Sequence, residues 1–467
     1  MKFLSFIFTI ILFAGCATFH SQPISPEKTA DAFDARSLTN ENLRAFLETN
    51  HVVCEWPRRS WDLNTLVLAA FYYQPAFAEA RAQWAAAQAA EITAGERQNP
   101  SISVTPGYDN QIPGTPTPWI VPVTFDIPLE TAGKRVKRIA EANALSEAAR
   151  WDFISAAWQT RSRVRSALLN YYTAHENERL LAQQELAQSN VVRLLHGQFA
   201  AGSLSDYEVT SARVTLETTQ LSRQDAAGQL NQARAELAGA LGLPLHALDG
   251  VKFSFAKLNQ FPHELTRPEV RRQALLNRAD VRGALAEYAA SQSDLQLEIA
   301  NQYPDIHLGP GYAYNSGSAG DNQWELGLTL TLPVLNHNQG PVAEAMAKRA
   351  QAAAHFLTVQ AAAISEIDSA YAGYNAALKE SATANSMLKD LTSQVNSIRA
   401  QAQVGEVDSL ALADAETAYC IGAQNELDTQ VKAQQALGVL EDAVQSPLTL
   451  SPEILNQAQN NLSQTEK

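Results

Sequence analysis

Proline is missing from two long windows of this 467-residue chain: it has 20 prolines, yet none falls between Pro128 and Pro244 or between Pro341 and Pro447. Proline costs about 3 kcal/mol inside a helix, so these windows predict two long helical blocks and exclude a chain of short, turn-punctuated elements. Cysteine is scarce as well. Cys16, Cys54 and Cys420 show no CxxC spacing, which excludes a disulfide framework or a zinc site and leaves Cys54 and Cys420 as ordinary thiols. No stretch past the N-terminus holds the roughly 18 uninterrupted apolar residues of a transmembrane helix. Positive charge is outweighed, 35 Lys and Arg against 49 Asp and Glu, and a net charge of −14 speaks against nucleic acid or an anionic membrane surface as partner. GxSxG, P-loop and HExxH motifs are absent, the nine histidines are scattered, and His337 in Asn336-His337-Asn338 reads as a loop residue. The expectation is no enzyme, no catalytic residue, no metal site and no cofactor beyond a covalent lipid.

What is there begins with an export signal over 1–15: Lys2 is its only charge, Phe3 to Phe13 is apolar, and small residues follow. Phe13-Ala14-Gly15-Cys16 resembles a bacterial lipobox, so Cys16 is the expected site of lipidation, and Ala17 after it looks like an outer-membrane address. Residues 16–60 form a polar lead that reads as irregular. A first repeat spans 61–243, with strands at 101–108 and 119–128 and a hairpin tip at 199–205. A connector follows over 244–267, then a second repeat over 268–445 with strands at 304–314 and 323–333 and a tip at 403–408, and a polar tail over 446–467.

The repeat is written in the residues. Asn301-Gln302-Tyr303-Pro304 answers Arg97-Gln98-Asn99-Pro100, Gly311-Tyr312 answers Gly107-Tyr108, Pro333 answers Pro128, and Gly405 answers Gly202. Each proline-free block has one break, near Gly202 or Gly405, and is therefore a helical hairpin. Its first arm, about 65 residues at 1.5 Å rise, reaches on the order of 100 Å. The arms carry a coiled-coil period: Leu388, Leu391, Val395, Ile398 and Ala402 step by three and four, as do Leu230, Ala233, Leu237 and Leu241. Lys134, Arg135, Lys137 and Arg138 open the first long helix, where cations oppose the helix dipole, so another task is expected of them, contact with lipid head groups or a neighbouring copy.

Between the helices the period switches to two. Trp119, Val121, Val123 and Phe125 alternate with Ile120, Pro122, Thr124 and Asp126, and Trp324, Leu326, Leu328 and Leu330 alternate with Glu325, Gly327 and Thr329. Such strands suit a wall with lipid on one side and water on the other, the apolar eight facing lipid. Four strands cannot close a barrel, and open edges in lipid leave backbone groups unpaired at several kcal/mol each. The chain is therefore expected to oligomerise and pool its strands with those of other copies.

The order helix, strand pair, long helix, tip and returning helix, given twice, resembles the TolC-like outer membrane factors. Phe125-Asp126-Ile127-Pro128-Leu129-Glu130-Thr131-Ala132-Gly133-Lys134-Arg135 resembles the strand-to-helix junction of their heavy-metal efflux branch, the CzcC- and CusC-like proteins. Arg278-Ala279-Asp280-Val281 is similar to the family's Arg-Pro-Asp-Leu, with Ala279 in place of proline. The resemblance implies a mainly α fold with a small β part. It implies a homotrimer in which four transmembrane strands per chain form a twelve-stranded β-barrel over a long periplasmic α-helical barrel. It further implies a passive outer-membrane channel in a tripartite efflux system. The partners would be outer-membrane lipid, a periplasmic adaptor (a membrane fusion protein) and an inner-membrane pump of RND type, and the cargo heavy-metal cations. Drug efflux or type I protein secretion on the same fold, or a non-conducting coiled-coil scaffold lipoprotein, are the alternatives. By the same resemblance the adaptor docks at the tips, Gly202, Ser203, Leu204 and Ser205 in one and Gly405, Glu406, Val407 and Asp408 in the other, and Asp414 is the candidate for the lumen constriction.

Overall fold

The computed structural model describes residues 17–50, 55–108, 119–262, 266–315 and 322–448. Cys16, Cys54, the expected signal, both strand-connecting loops and most of the tail lie outside them.

The lead is not irregular: it forms α1 (Pro26–Asp34) and α2 (Glu41–Thr49). Pro26 sits in the first turn, where a missing N–H costs no helical bond, and the Asn40 side chain accepts the Asn42 N–H at 2.8 Å to cap α2. Leu43 and Leu47, one turn apart, are the buried face of α2. Arg36 between the two helices donates from Nη1 to the Tyr73 and Gly242 carbonyls at 3.0 and 2.8 Å, which stitches the lead to the first repeat.

That repeat starts with α3 (Leu63–Tyr73) and α4 (Pro75–Gly95), separated at Gln74 because the residue before a proline is driven out of the helical region. Then come β1 (Ser101–Val104), β2 (Gly107–Tyr108), β3 (Trp119–Leu129), α5 (Lys134–Ala200) and α6 (Asp206–Leu241). After two short 3-10 turns the order returns: α7 (Arg267–Asn277), α8 (Ala279–Ala300), β4 (Ile306–Asn315), β5 (Gln323–Leu330), α9 (Gln339–Gln403) and α10 (Ser409–Val444). At 67 and 65 residues, α5 and α9 are each about 100 Å long. No described helix is long and apolar enough to cross a membrane.

The single strand expected over 101–108 is broken. β1 and β2 both pair with β3 in one register, but Thr105-Pro106 interrupts them, since proline cannot donate to the ladder. All pairings within the sheet are antiparallel and the order is β1-β3-β4-β5, with β2 continuing the line of β1.

The helices cohere through apolar clusters, the two largest of them beside the connector. One gathers Leu43, Leu66, Phe77, Phe153, Leu168 and Leu237 from the lead and first repeat; another gathers Ile367, Tyr374, Leu437 and Leu440 from α9 and α10. The Tyr374 hydroxyl donates to the Pro262 carbonyl at 3.0 Å, and burial pushes its phenol up to about 12. The α6 stripe is buried at Ala233, Leu237 and Leu241, near the connector, whereas of the α9 stripe Val395 is the buried member.

Candidate functional site

The register settles which side chains share a face of the sheet. Val123 lies opposite Tyr312, and Tyr312 opposite Trp324, so Trp119, Val121, Val123 and Phe125 stand on the same side as Trp324, Leu326, Leu328 and Leu330. No described residue covers that side: Trp324 is 85% exposed, Leu326 77% and Leu328 68%. Leaving such residues in water is costly, at about 25 cal/mol per Å² of apolar surface. The other face carries Thr124, Asp126, His307, Glu325 and Thr329, with Gly309 opposite Gly327 and Gly311 opposite Glu325. The wall is apolar on one side, polar and thin on the other, and open at both edges.

Below the sheet, the basic residues at the start of α5 find partners inside the chain. Lys134 is buried and donates to Asp305 at 2.8 Å; Asp305 also accepts the Thr131 N–H at 2.9 Å, while the Thr131 hydroxyl donates to the Pro304 carbonyl at 2.7 Å. Arg138 pairs with Glu130 at 2.7 Å, Arg135 donates to the Gly95 carbonyl at 2.6 Å, and Lys137 to Gln296 at 2.8 Å. Burial alone would raise the Asp305 carboxyl, but the Lys134 ammonium and the Thr131 N–H outweigh it and hold it below the usual carboxylate range. The joint between sheet and helix is thus fastened across the two repeats.

A second fastening lies where α5 meets α10. Arg161 donates to Glu441 at 2.9 Å, Arg165 to the Gln434 carbonyl at 2.7 Å, and Trp158 and Ser162 both donate to Asp442. Gly438 makes room for this: a Cβ there would stand 2.1 Å from Arg165 Nη1. Arg278, at the N-cap of α8, joins Asp280 at 2.6 Å, Glu366 at 2.9 Å and the Ala443 carbonyl at 2.7 Å. Because residue 279 is alanine it has an N–H, which it donates to Gln445 at 2.7 Å.

At the far end the two tips are built alike. Gly202 and Gly405 take φ of +75° and +80°, and the next N–H in each case reaches back five residues, Ser203 to Gln198 and Glu406 to Gln401, both at 3.0 Å. Asp408 accepts the Ala411 N–H at 2.8 Å and caps α10. Ser205 turns its hydroxyl toward Glu208, whose carboxylate also accepts the Ser205 N–H. Gly202, Ser203, Gly405 and Glu406 are exposed, Leu204 and Val407 partly so; Tyr207, exposed at 80% beside them, was not signalled by any motif. Asp414 is exposed on the first turns of α10, and its carboxylate accepts no hydrogen bond among the described residues. Cys420 is a buried free thiol, which burial pushes up. The structure unites the eight strand residues on one face and keeps the tips and Asp414 apart from them by the length of the long helices.

An open four-position sheet on two long hairpins is the fold of outer-membrane channels. CusC, a protein whose solved structures concern transmembrane channel formation, matches with a TM-score of 0.64 at 18% identity over 84% of this chain and 94% of its own. The family model for the outer membrane efflux protein matches residues 70–243 and 270–444, and the chain belongs to that family. Among curated relatives, the cobalt-zinc-cadmium resistance protein CzcC of Cupriavidus metallidurans is 26% identical over 233 residues, 50% of this chain. The pyoverdine export outer membrane protein OpmQ of Pseudomonas aeruginosa is 28% identical over 184 residues, 38% of this chain. The chain spans 54% of the length of the first and 38% of the second. The expected class, an efflux protein of the outer membrane and not an enzyme, agrees with the family.

Proposed function

We propose that three copies of this chain pool their strands into one twelve-stranded barrel and form the exit duct of a tripartite efflux system. The observation that carries this reading is the sheet: an uncovered apolar face and two unpaired edges, in a chain of this family, are satisfied together only by lipid on the face and further strands at the edges. The long hairpins continue the barrel as a periplasmic tunnel. Gly202, Ser203, Leu204 and Ser205 with Gly405, Glu406, Val407 and Asp408 form the end at which a periplasmic adaptor docks. An inner-membrane pump of RND type supplies the energy; this protein conducts passively. Acyl chains on Cys16 hold the lead at the outer membrane. The purified chain in detergent tests the assembly: threefold particles under the electron microscope and conductance in liposomes are expected, and solitary, non-conducting particles overturn it.

Heavy-metal cations are the cargo this reading favours, supported by the likeness to CzcC and by the junction Phe125 to Arg135. The likeness to OpmQ favours a second reading, an organic export cargo on the same duct. A strain lacking the gene separates them. Lost tolerance of cobalt, zinc or cadmium supports the first, and lost tolerance of organic compounds alone supports the second.

A further inference from the structure

Asp126 and His307 lie 181 residues apart in sequence and meet on the polar face of the sheet, His307 Nδ1 standing 3.0 and 3.1 Å from the two Asp126 carboxylate oxygens. A carboxylate is acceptor only, so the proton of the neutral ring lies on Nδ1, and the lone pair is left on Nε2. That is the arrangement in which a carboxylate orients a histidine for a metal. Nε2 of His307 has no hydrogen-bond partner among the described residues. The surroundings keep it accessible: the side chains of His307 and Asp126 are 37% and 50% exposed, and Gly309 and Gly327 next to them present no side chain to the bore. The other nearby carboxylate, Asp305, is occupied by Lys134 and Thr131.

We propose that His307 presents Nε2 to the lumen of the barrel as a ligand for borderline-soft divalent cations such as Zn²⁺, Co²⁺ and Cd²⁺, with Asp126 as its positioning residue. The site rests on the duct reading, which turns the polar face inward and supplies one such pair per chain. Imidazole selects these ions over Mg²⁺ and Ca²⁺, which prefer oxygen. With one protein ligand the cation keeps most of its water and leaves readily, as a conduit requires of any site along its path.

Potassium current through the full-length channel in planar bilayers tests this, each variant being scaled to its own metal-free current. Zn²⁺ is expected to block the wild type. The half-blocking concentration should rise at least tenfold in His307→Gln and by a smaller factor in Asp126→Asn, while Mg²⁺ should distinguish none of the three. Equal Zn²⁺ block in wild type and His307→Gln, or no block at all, overturns the site and leaves the duct standing. Equilibrium dialysis of detergent-solubilised protein against Zn²⁺ gives a readout without conductance. Lower Zn²⁺ occupancy in His307→Gln than in wild type at the same free Zn²⁺ supports the site even if the protein carries no current, a result that would instead overturn the duct; equal Zn²⁺ overturns the site.

Discussion

Glu441 is 1% exposed and holds two guanidinium groups, Arg161 at 2.9 Å and Arg165 at 3.6 Å, together with the Leu448 N–H. Arg161 Nη1 is already buried with no hydrogen-bond partner among the described residues, so this seam has no spare acceptor. Glu441→Ala is therefore expected to cost about 3–5 kcal/mol, because it strands buried positive charge. The shift of the denaturation midpoint of the helical circular dichroism measures it; a shift below about 1 kcal/mol would mean that water reaches the seam. Asp305 makes a different prediction, in pH. Its folded pKa is lowered, so its contribution is present above the unfolded value, about 3.9, and is lost as pH falls through the lower folded value. Wild type should lose stability below about pH 4 relative to Asp305→Asn, which has no such proton to take up, while at pH 7 the variant should be less stable by about 1–3 kcal/mol, leaving Lys134 buried without its partner. Parallel pH–stability curves for the two proteins would remove the Asp305 joint from the account.

Among the elements, the tips bear the sharpest local demand. A Cβ at Gly202 or Gly405 would touch nothing within 4 Å, so the cost of a side chain there is backbone strain at positive φ and not crowding. Gly202→Val and Gly405→Val should each destabilise their tip by roughly 1–2 kcal/mol. Amide exchange should quicken in the last turn of α5 or α9 and stay unchanged at mid-helix; uniform quickening would mean that the tips govern the whole hairpin. These reversals, the long helices between them and the alternating strands are legible in the sequence because each depends on neighbours a few residues apart: proline spacing, one glycine, a period of two. What the sequence does not disclose depends on residues that meet across repeats. Lys134 reads as a cation opposing the helix dipole only until Asp305, 171 residues on, is placed beside it. His307 and Asp126 look like two scattered polar residues until the β3–β4 register is known. The lead escaped for another reason: α2 buries only Leu43 and Leu47, too short a stripe to register against a polar background.

For the whole molecule, charge decides what a shared bore passes. The chain carries −14, and a threefold assembly repeats every lumen residue at one level, so a single exposed carboxylate becomes a ring of three. Asp414 lies on the first turns of α10, close to the tip, with Ala411 one turn earlier, so in the proposed duct this level of α10 contributes one carboxylate per chain. Three carboxylates at a constriction raise the local cation concentration and repel anions, an effect that weakens once the Debye length, about 10 Å at 0.1 M salt, falls below the bore radius. Under a potassium chloride gradient the wild-type reversal potential should therefore favour K⁺, Asp414→Ala should move it toward zero, and the difference should shrink as salt is raised. Asp428, farther up the same helix, supplies the control, since Asp428→Ala changes the net charge equally away from the tip. If Asp414→Ala leaves the reversal potential where it was, or if Asp428→Ala moves it as far, selectivity belongs to the diffuse charge of the tunnel and Asp414 has no part in the constriction.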